Sequence, residues 1–272
     1  MITPLAVGQR RRPQPPVSPP ALVKVAVLYA KRGPMRFTSP RVIHKIFKQA
    51  VRRAGLPVAF SSGFSPHPRL SHLLPAPTGM LSQAEYLLIR LTSRLTADQV
   101  AAALGPAMPD NLPIIKVVRW PDHYSLANRL EASLWQAELA GVSASQLETA
   151  AADLLSLSTA QITRPARGDK PAIQRDVRPA VVCLTVVPAQ PGDICATIEM
   201  VLRQYTPAVR PDDVVAALLE VAGLTVDTPA RYTRLAQGLL EGQAGSVSDP
   251  LHDPRLELPQ HIELNAGQRA RD

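Results

Sequence analysis

Three histidines in the first third of the chain are the residues best suited to acid–base chemistry. His44 lies in a helical pattern, and His67 and His72 lie in the proline-rich stretch FSSGFSPHPRLSHLLPAPTG, residues 60–79. An unperturbed imidazole titrates near neutral pH, so it can accept and donate a proton under physiological conditions. The alternative is that these histidines pack or cap within an ordered loop. The candidate partners in an acid–base site are Ser61, Ser62 and Tyr29.

Metal binding and redox chemistry have weaker support. The six histidines include no His-x-His pair, and Cys183 and Cys195 form no Cys-x-x-Cys motif. Metal sites usually need such clustered ligands. We therefore expect no metal and no cofactor, and we expect both cysteines to be core residues of facing strands. The lack of a cluster-binding cysteine motif and of a recognisable catalytic constellation favours a binding protein over an enzyme.

Positive charge is concentrated at the start of the chain. The first 84 residues have 13 Lys and Arg and no acid, whereas the rest has 17 basic and 22 acidic side chains. The net charge of +8 therefore comes entirely from the first third. An uncompensated positive surface attracts polyanions, of which RNA and DNA are the commonest in the cytoplasm. The alternative is a solvated basic face together with a basic tail.

The segment TSPRVIHKIFKQAVRRAG, residues 38–55, predicts an amphipathic helix that carries much of this charge. Ser39 and Pro40 are typical of a helix start, and Gly55 is typical of the position just beyond a helix end. Apolar residues recur at helical spacing, and the opposite face has cations but no acid. Such a face contacts phosphates with little sequence preference. The predicted nucleic-acid-binding residues are Lys31, Arg32, Arg36, Arg41, Lys45, Lys48, Arg52, Arg53 and Arg69.

The loop that follows this helix is long for a compact domain, which is uncommon unless a loop is functional or disordered. Its four prolines stiffen it and lower the entropy cost of holding donors in place. Base stacking is not expected to be the main binding mode, because only 4% of the chain is aromatic and no RNP-like aromatic string is present. The predicted loop contacts are Ser62, Gly63, Phe64, Pro66, His67 and Pro68.

The element order indicates an α+β protein of two tandem ferredoxin-like βαββαβ modules. Residues 22–121 show strand, helix, strand, strand, helix, strand, and residues 128–240 repeat that order. The second strand is predicted in LPVAFSS, residues 56–62, and a hairpin of the second module turns through QPG, residues 190–192. Such a sheet has helices on one face and leaves the other face for a partner. Residues 1–21 are expected to be a disordered basic arm, and residues 241–272 a disordered tail.

Several motifs resemble the radical-SAM-linked protein family, a domain of unknown function found fused to, or encoded beside, cobalamin-binding radical SAM proteins. They are MRFTS near Met35, FKQAVRRAGLPVAFSSGFSPHPRLS from Phe47, APTGMLSQAEYLLIRLT from Ala76, and RDVRP near Asp176. The resemblance implies a cobalamin-binding radical SAM protein as a partner, but it implies no reaction. Where family members carry a His and an Asp after RFTS, this chain has Pro40 and Val42 nearby, which also favours binding.

Two pairs in the second module have open roles. Asp176 and Arg178 either bind a ligand or pair across a turn, and Arg231 and Arg234 could share one face of the last element. Neither pair decides the function by itself.

The sequence therefore predicts a cytoplasmic accessory protein that has no membrane segment. We expect it to bind structured RNA, such as tRNA or rRNA, through the basic helix and loop and to present that RNA to a partner enzyme. One alternative is an RNA-processing enzyme that uses His67 or His44 as a general base. The other is a protein-interaction subunit of a radical SAM enzyme that does not contact nucleic acid.

Overall fold

The structure is a computed structural model and describes residues 19–164, 171–188, 194–242 and 245–252. Its helices are α1 (Pro40–Arg53), α2 (Ala97–Leu104), α3 (Ala144–Ser156) and α4 (Pro211–Val221). Its strands are β1 (Val23–Lys31), β2 (Leu70–Leu73), β3 (Leu81–Leu91), β4 (Ile114–Arg119), β5 (Ala132–Ala140), β6 (Gln161–Arg164), β7 (Ile173–Asp176), β8 (Val181–Val187), β9 (Cys195–Arg203), β10 (Arg231–Glu241) and β11 (Ser246–Ser248). The predicted α+β class is confirmed.

Nine strands form one mixed sheet in the order β4-β1-β3-β10-β5-β9-β8, with β2 beside β3 and β11 beside β10. Neighbours are antiparallel among β1 to β4, the first half, and among β5, β8, β9 and β10, the second half. The halves join where β10 runs parallel to the start of β3, with Arg234 opposite Ser82. Both halves therefore contribute to one continuous sheet, while β6 and β7 pair separately.

The second strand of the first half lies later in the chain than predicted. The segment at residues 56–62 makes only isolated bridges, from Val58 to Leu91 and from Phe60 to Pro68. The strand itself is β2, inside the stretch predicted to be a loop. The sequence pattern did not predict β2 as a strand, because the largely buried position that a strand fills with an apolar residue is occupied here by His72.

Each half has its own core on the helix-covered side of the sheet. In the first half, Val25, Val27 and Tyr29 of β1 pack with α1 and α2. In the second half, Trp135 and Ala137 of β5 pack with α3 and α4. Because side chains alternate along a strand, the residues between those of β1 face the other side of the sheet.

That other side of the first half is covered, so the expectation of a face left open for a partner is wrong there. Ala26 and Tyr86 pack against Trp120 and Leu126, which follow β4, and against Leu251, which follows β11. The predicted disordered tail is likewise wrong for residues 245–252, which contain β11 and this buried leucine.

Some sequence predictions fall outside the described residues, namely most of the arm, the QPG turn at residues 190–192 and the tail from residue 253. Cys183 and Cys195 lie on the paired strands β8 and β9, but they are only half-buried. None of the helices in the described ranges is long and apolar enough to cross a membrane.

A buried ion pair crosses the seam between β3 and β10. The guanidinium of Arg234 donates to the carboxylate of Glu85, and these side chains are only 4% and 1% exposed. Arg234 also donates to Ser82 Oγ at 3.3 Å and to the Leu74 carbonyl at 2.9 Å. The Ala76 N–H donates to the Glu85 carboxylate at 3.1 Å. The pair thus links both halves to each other and to the segment between β2 and β3.

Arg231, three residues before Arg234 on β10, does not share its face. Its side chain is 55% exposed and forms an ion pair with Glu138 of β5. Residues separated by an odd number of positions in a strand point to opposite sides, so the shared face expected from the sequence is wrong.

We expect Arg234→Met to lower the free energy of unfolding by about 3–5 kcal/mol, because it leaves the Glu85 carboxylate buried without its partner. Urea denaturation followed by circular dichroism measures this change. Arg231→Met is the matched control on the same strand, and the loss of its exposed pair is expected to cost no more than about 1 kcal/mol. Equal losses in the two variants would contradict a special role for the seam pair.

Candidate nucleic-acid interface

Helix α1 separates an apolar side from a cationic side. Ser39 caps its start by accepting the Val42 N–H at 3.4 Å, and Gly55 takes a positive φ of +62° just beyond its end. Its buried residues, which pack against β1 and β3, are Ile43, Phe47, Ala50 and Val51. The opposite side carries five cations, all exposed except the half-buried Lys48. These α1 cations are Arg41, Lys45, Lys48, Arg52 and Arg53.

The α1 cations have no carboxylate within 4.0 Å among the residues that the structure describes. The carboxylate of Glu85, the first acid of the chain, is buried in its ion pair with Arg234. The first turn of α1 contains no acid either. Five of the 13 cations counted in the first 84 residues are therefore displayed on one helix, where no carboxylate of the described residues pairs with them.

Lys31 does not belong to this surface, although the sequence placed it among the phosphate contacts. Its side chain is fully buried, and its ammonium group donates to the Pro77 carbonyl at 3.0 Å and to the Ala76 carbonyl at 3.5 Å. Burial lowers the pKa of Lys31, and the Glu85 carboxylate opposes that shift. Lys31 therefore holds the segment between β2 and β3 in place.

The other predicted cations lie near the surface. Arg32 is exposed and donates to the side-chain oxygen of Gln83 at 2.9 and 3.1 Å. The half-buried Arg36 has its guanidinium over the ring of Phe37, with 4.6 Å from Cζ to the ring centroid. Arg69 is exposed at the end of the loop, just before β2.

The loop after α1 folds into a small closed unit. The Ser61 N–H donates to the His67 carbonyl at 2.8 Å, and the His67 N–H donates to Ser61 Oγ at 3.0 Å. Phe60 and Pro68 form a bridge just outside these contacts. We call residues 61–67 the loop lobe. It contains the predicted contacts Ser62, Gly63, Phe64, Pro66 and His67, and Pro68 follows directly.

Two of the three candidate histidines meet between α1 and β2. The ring centroids of His44 and His72 are 5.3 Å apart with planes at 70°, and the Tyr29 hydroxyl lies 3.1 Å from Nδ1 of His72. Burial lowers the pKa of His72 to about 4, with the charge of His44 as the second cause. Burial, then Lys48, then His67 lower the pKa of His44. Both imidazoles are therefore neutral at pH 7.

The Tyr29 hydroxyl binds Nδ1 of His72. Burial raises the pKa of Tyr29 well above its usual value, so the hydroxyl keeps its proton in this contact. Whichever ring nitrogen of the neutral imidazole carries the proton, Nε2 is buried and has no hydrogen-bond partner among the described residues. His72 therefore packs inside the fold and cannot serve as an accessible base, whereas His67 is exposed on the loop lobe.

Asp176 and Arg178 bind the backbone. Oδ1 of Asp176 accepts the N–H groups of Ala160 and Arg178 at 2.9 and 3.1 Å. The Arg178 guanidinium donates to the carbonyls of Leu155, Leu157 and Val181, each at 3.1 Å. Because the first two carbonyls lie at the end of α3, Arg178 caps that helix.

Sequence reasoning missed the exposure of three of the four phenylalanines. Phe37, Phe60 and Phe64 are 65%, 43% and 73% exposed, and only Phe47 is buried. Phenylalanine is usually among the most buried residues, and all three exposed rings lie within the basic first third. Phe64 lies among the predicted loop contacts, whereas Phe60 lies in the segment predicted to be a strand, residues 56–62, so no single sequence pattern indicated the exposure of all three rings.

The fold and this surface define an α+β protein with a basic helix beside a closed loop. The family model described as uncharacterized protein conserved in bacteria (DUF2344) matches residues 24–211, from the second residue of β1 to the first residue of α4. The match covers more than half of the chain, so the chain belongs to this family. A search among curated proteins finds none that matches.

The buried His72 predicts a loss of stability in mild acid. In the unfolded chain the imidazole of His72 binds a proton below about pH 6.5, whereas in the folded chain it binds a proton only near pH 4. Between these pH values protonation therefore stabilises the unfolded state. The free energy of unfolding is expected to fall by about 3 kcal/mol between these values. Urea denaturation across this pH range should show a smaller fall in His72→Gln than in the wild type. His67→Gln, which changes an exposed imidazole, is the control, and parallel curves for His72→Gln and wild type would refute the assignment.

Proposed function

We propose that the protein binds structured RNA through the α1 cations and the loop lobe and presents it to a partner enzyme. The observation that supports this most is the α1 cations themselves, which have no carboxylate within 4.0 Å among the described residues. Cations already held in internal ion pairs gain less from a phosphate, whereas these can exchange small counterions for RNA phosphates.

Because the sheet face of the first half is covered, α1 and the loop lobe are the proposed place of contact with RNA. RNA-binding modules of the common sheet type stack bases on exposed aromatic residues of the central strands. Here that side of β1 and β3 is packed against residues that follow β4, including Trp120 and Leu126. The helix and the loop are therefore the better candidates for contact with RNA.

The halves of the sheet are, in this proposal, two ferredoxin-like modules joined edge to edge. If the strands of each half are numbered along the chain, the spatial order is fourth, first, third, second in both: β4-β1-β3-β2 and β10-β5-β9-β8. A helix follows the first and third strands of each half. These arrangements support the repeated βαββαβ plan.

The partner enzyme in this proposal is a cobalamin-binding radical SAM protein. It rests on the sequence resemblance alone. The chain has two cysteines in total, fewer than the three that hold a radical SAM cluster, so such chemistry would have to come from the partner.

Neutralising two exposed α1 cations is expected to weaken binding and to reduce its salt dependence. For Lys45→Gln/Arg52→Gln, the slope of log affinity against log salt should become shallower by about 1.4–1.8, if each side chain contacts one phosphate. Filter binding of a tRNA mixture over a series of KCl concentrations gives the slope.

The matched control for this variant is Arg119→Gln/Arg203→Gln, which removes two exposed cations outside α1 and is expected to keep the wild-type slope. If the wild-type protein retains no RNA at low salt, the proposed function is wrong. If both double variants lose binding equally, the charge acts without a defined site and the assignment to α1 is wrong.

The neutral His44 favours one alternative, an RNA-processing enzyme. This imidazole can accept a proton at pH 7, and His67 is exposed on the loop lobe. Incubating the protein with end-labelled tRNA and separating the products on a gel tests the idea. Cleavage that His67→Ala and His44→Ala abolish would support an enzyme, whereas intact RNA, or cleavage unchanged by both, would leave binding as the function.

A further inference from the structure

We infer that Phe64, at the tip of the loop lobe, stacks on an unpaired base of the bound RNA. The substrate class is then RNA that offers single-stranded positions next to its phosphates. This inference rests on the proposed function and makes it more specific, because the α1 cations alone would bind paired and unpaired RNA alike.

The loop lobe carries this ring exposed to solvent on a closed segment of backbone. Two hydrogen bonds between Ser61 and His67 close the backbone, and Phe64 is the central residue of the segment they enclose. Its side chain is 73% exposed, the largest exposure among the three exposed phenylalanines. A ring held on a closed loop loses less conformational freedom on binding than a ring on an open chain would.

The ring lies near the cationic surface. Phe64 and His67 are three positions apart in the chain, so their Cα atoms lie at most about 11 Å from each other. His72 lies five positions beyond His67, its ring centroid is 5.3 Å from that of His44 on α1, and His44 is one helical turn from Lys48. A strand whose phosphates contact the α1 cations can therefore place a neighbouring base on the loop lobe.

A second exposed ring lies where the chain enters the same helix. Phe37 precedes α1 by three residues and is 65% exposed, although the guanidinium of Arg36 lies 4.6 Å from its centroid. An aromatic ring combined with a guanidinium plane is a common platform for bases in single-stranded RNA. Phe37 and Phe64 thus border the beginning of α1 and the loop beside it, with cations in both places.

In this inference the α1 cations contact phosphates, and Phe64 contacts a base. Phosphates attract the α1 cations whatever the sequence, whereas an aromatic face binds a base only after that base has left its stack. Bases inside a duplex are stacked on both sides and cannot offer a face to Phe64. Stacking tolerates all four bases, so this site selects unpaired nucleotides and not a particular sequence.

The experiment compares two RNAs in fluorescence anisotropy: a fluorescein-labelled hairpin with an unpaired loop, and the blunt duplex of its stem. Phe64→Ala is expected to bind the hairpin about five- to a hundredfold more weakly, with an unchanged salt slope and unchanged duplex binding. Phe64→Leu, which keeps an apolar side chain without a ring, should lose binding similarly. Phe64→Trp should bind the hairpin within about twofold of wild type because it restores an aromatic face.

Ile194→Ala is the control, since it removes an apolar side chain that is 89% exposed in the second half, and its hairpin affinity should stay unchanged. If Phe64→Ala keeps wild-type affinity for the hairpin, or loses hairpin and duplex binding equally, stacking by Phe64 is refuted while RNA binding by α1 stands. If the wild-type protein binds neither RNA at low salt, both the inference and the proposed function fail.

Discussion

The buried ion pair between Glu85 and Arg234 is the interaction on which the rest of the structure depends. Removing two charges from water costs several kcal/mol each, and the cost is offset only when the groups are paired and their remaining hydrogen-bonding positions are filled. Here Ser82, the Leu74 carbonyl and the Ala76 N–H fill several of them. Since Glu85 belongs to β3 and Arg234 to β10, the electrostatic requirement can be met only when the two halves meet in this register.

The same pair shapes the surface through the segment between β2 and β3. Ala76 hydrogen-bonds Glu85, the carbonyls of Ala76 and Pro77 accept from buried Lys31, and Met80 packs into the core of the second half. That segment is therefore fixed from both halves of the molecule. It directly follows β2, which carries His72 against α1, so the position of the loop lobe beside the helix depends on contacts made far from the lobe.

Local signals account for what the sequence could predict. Caps and periodicity lie within a few residues, so α1 lies inside the predicted segment 38–55 and each half has its two predicted helices, with Thr96 and Ser143 each forming a reciprocal cap. The missed features are non-local. Lys31 counted as a surface cation because its buried position depends on the carbonyls of Ala76 and Pro77, which lie 45 and 46 positions further along the chain. The cover over the first-half sheet comes from residues after β4 and after β11, and no local pattern predicts that they meet.

The α1 cations repel each other, and no carboxylate among the described residues lies within 4.0 Å of them to reduce this repulsion. Like charges on one helix repel each other, and a solvated helix can reduce that repulsion with acids one turn away, which the outer side of α1 lacks. Glu85, the acid nearest to α1 in the sequence, forms its ion pair with Arg234 of β10. His44 and His72 are neutral at pH 7 and add no charge. The repulsion among the α1 cations is thus the electrostatic condition that a bound polyphosphate would relieve. This repulsion, beside the exposed ring of Phe64, is the physical reason for the proposed binding of a nucleic acid.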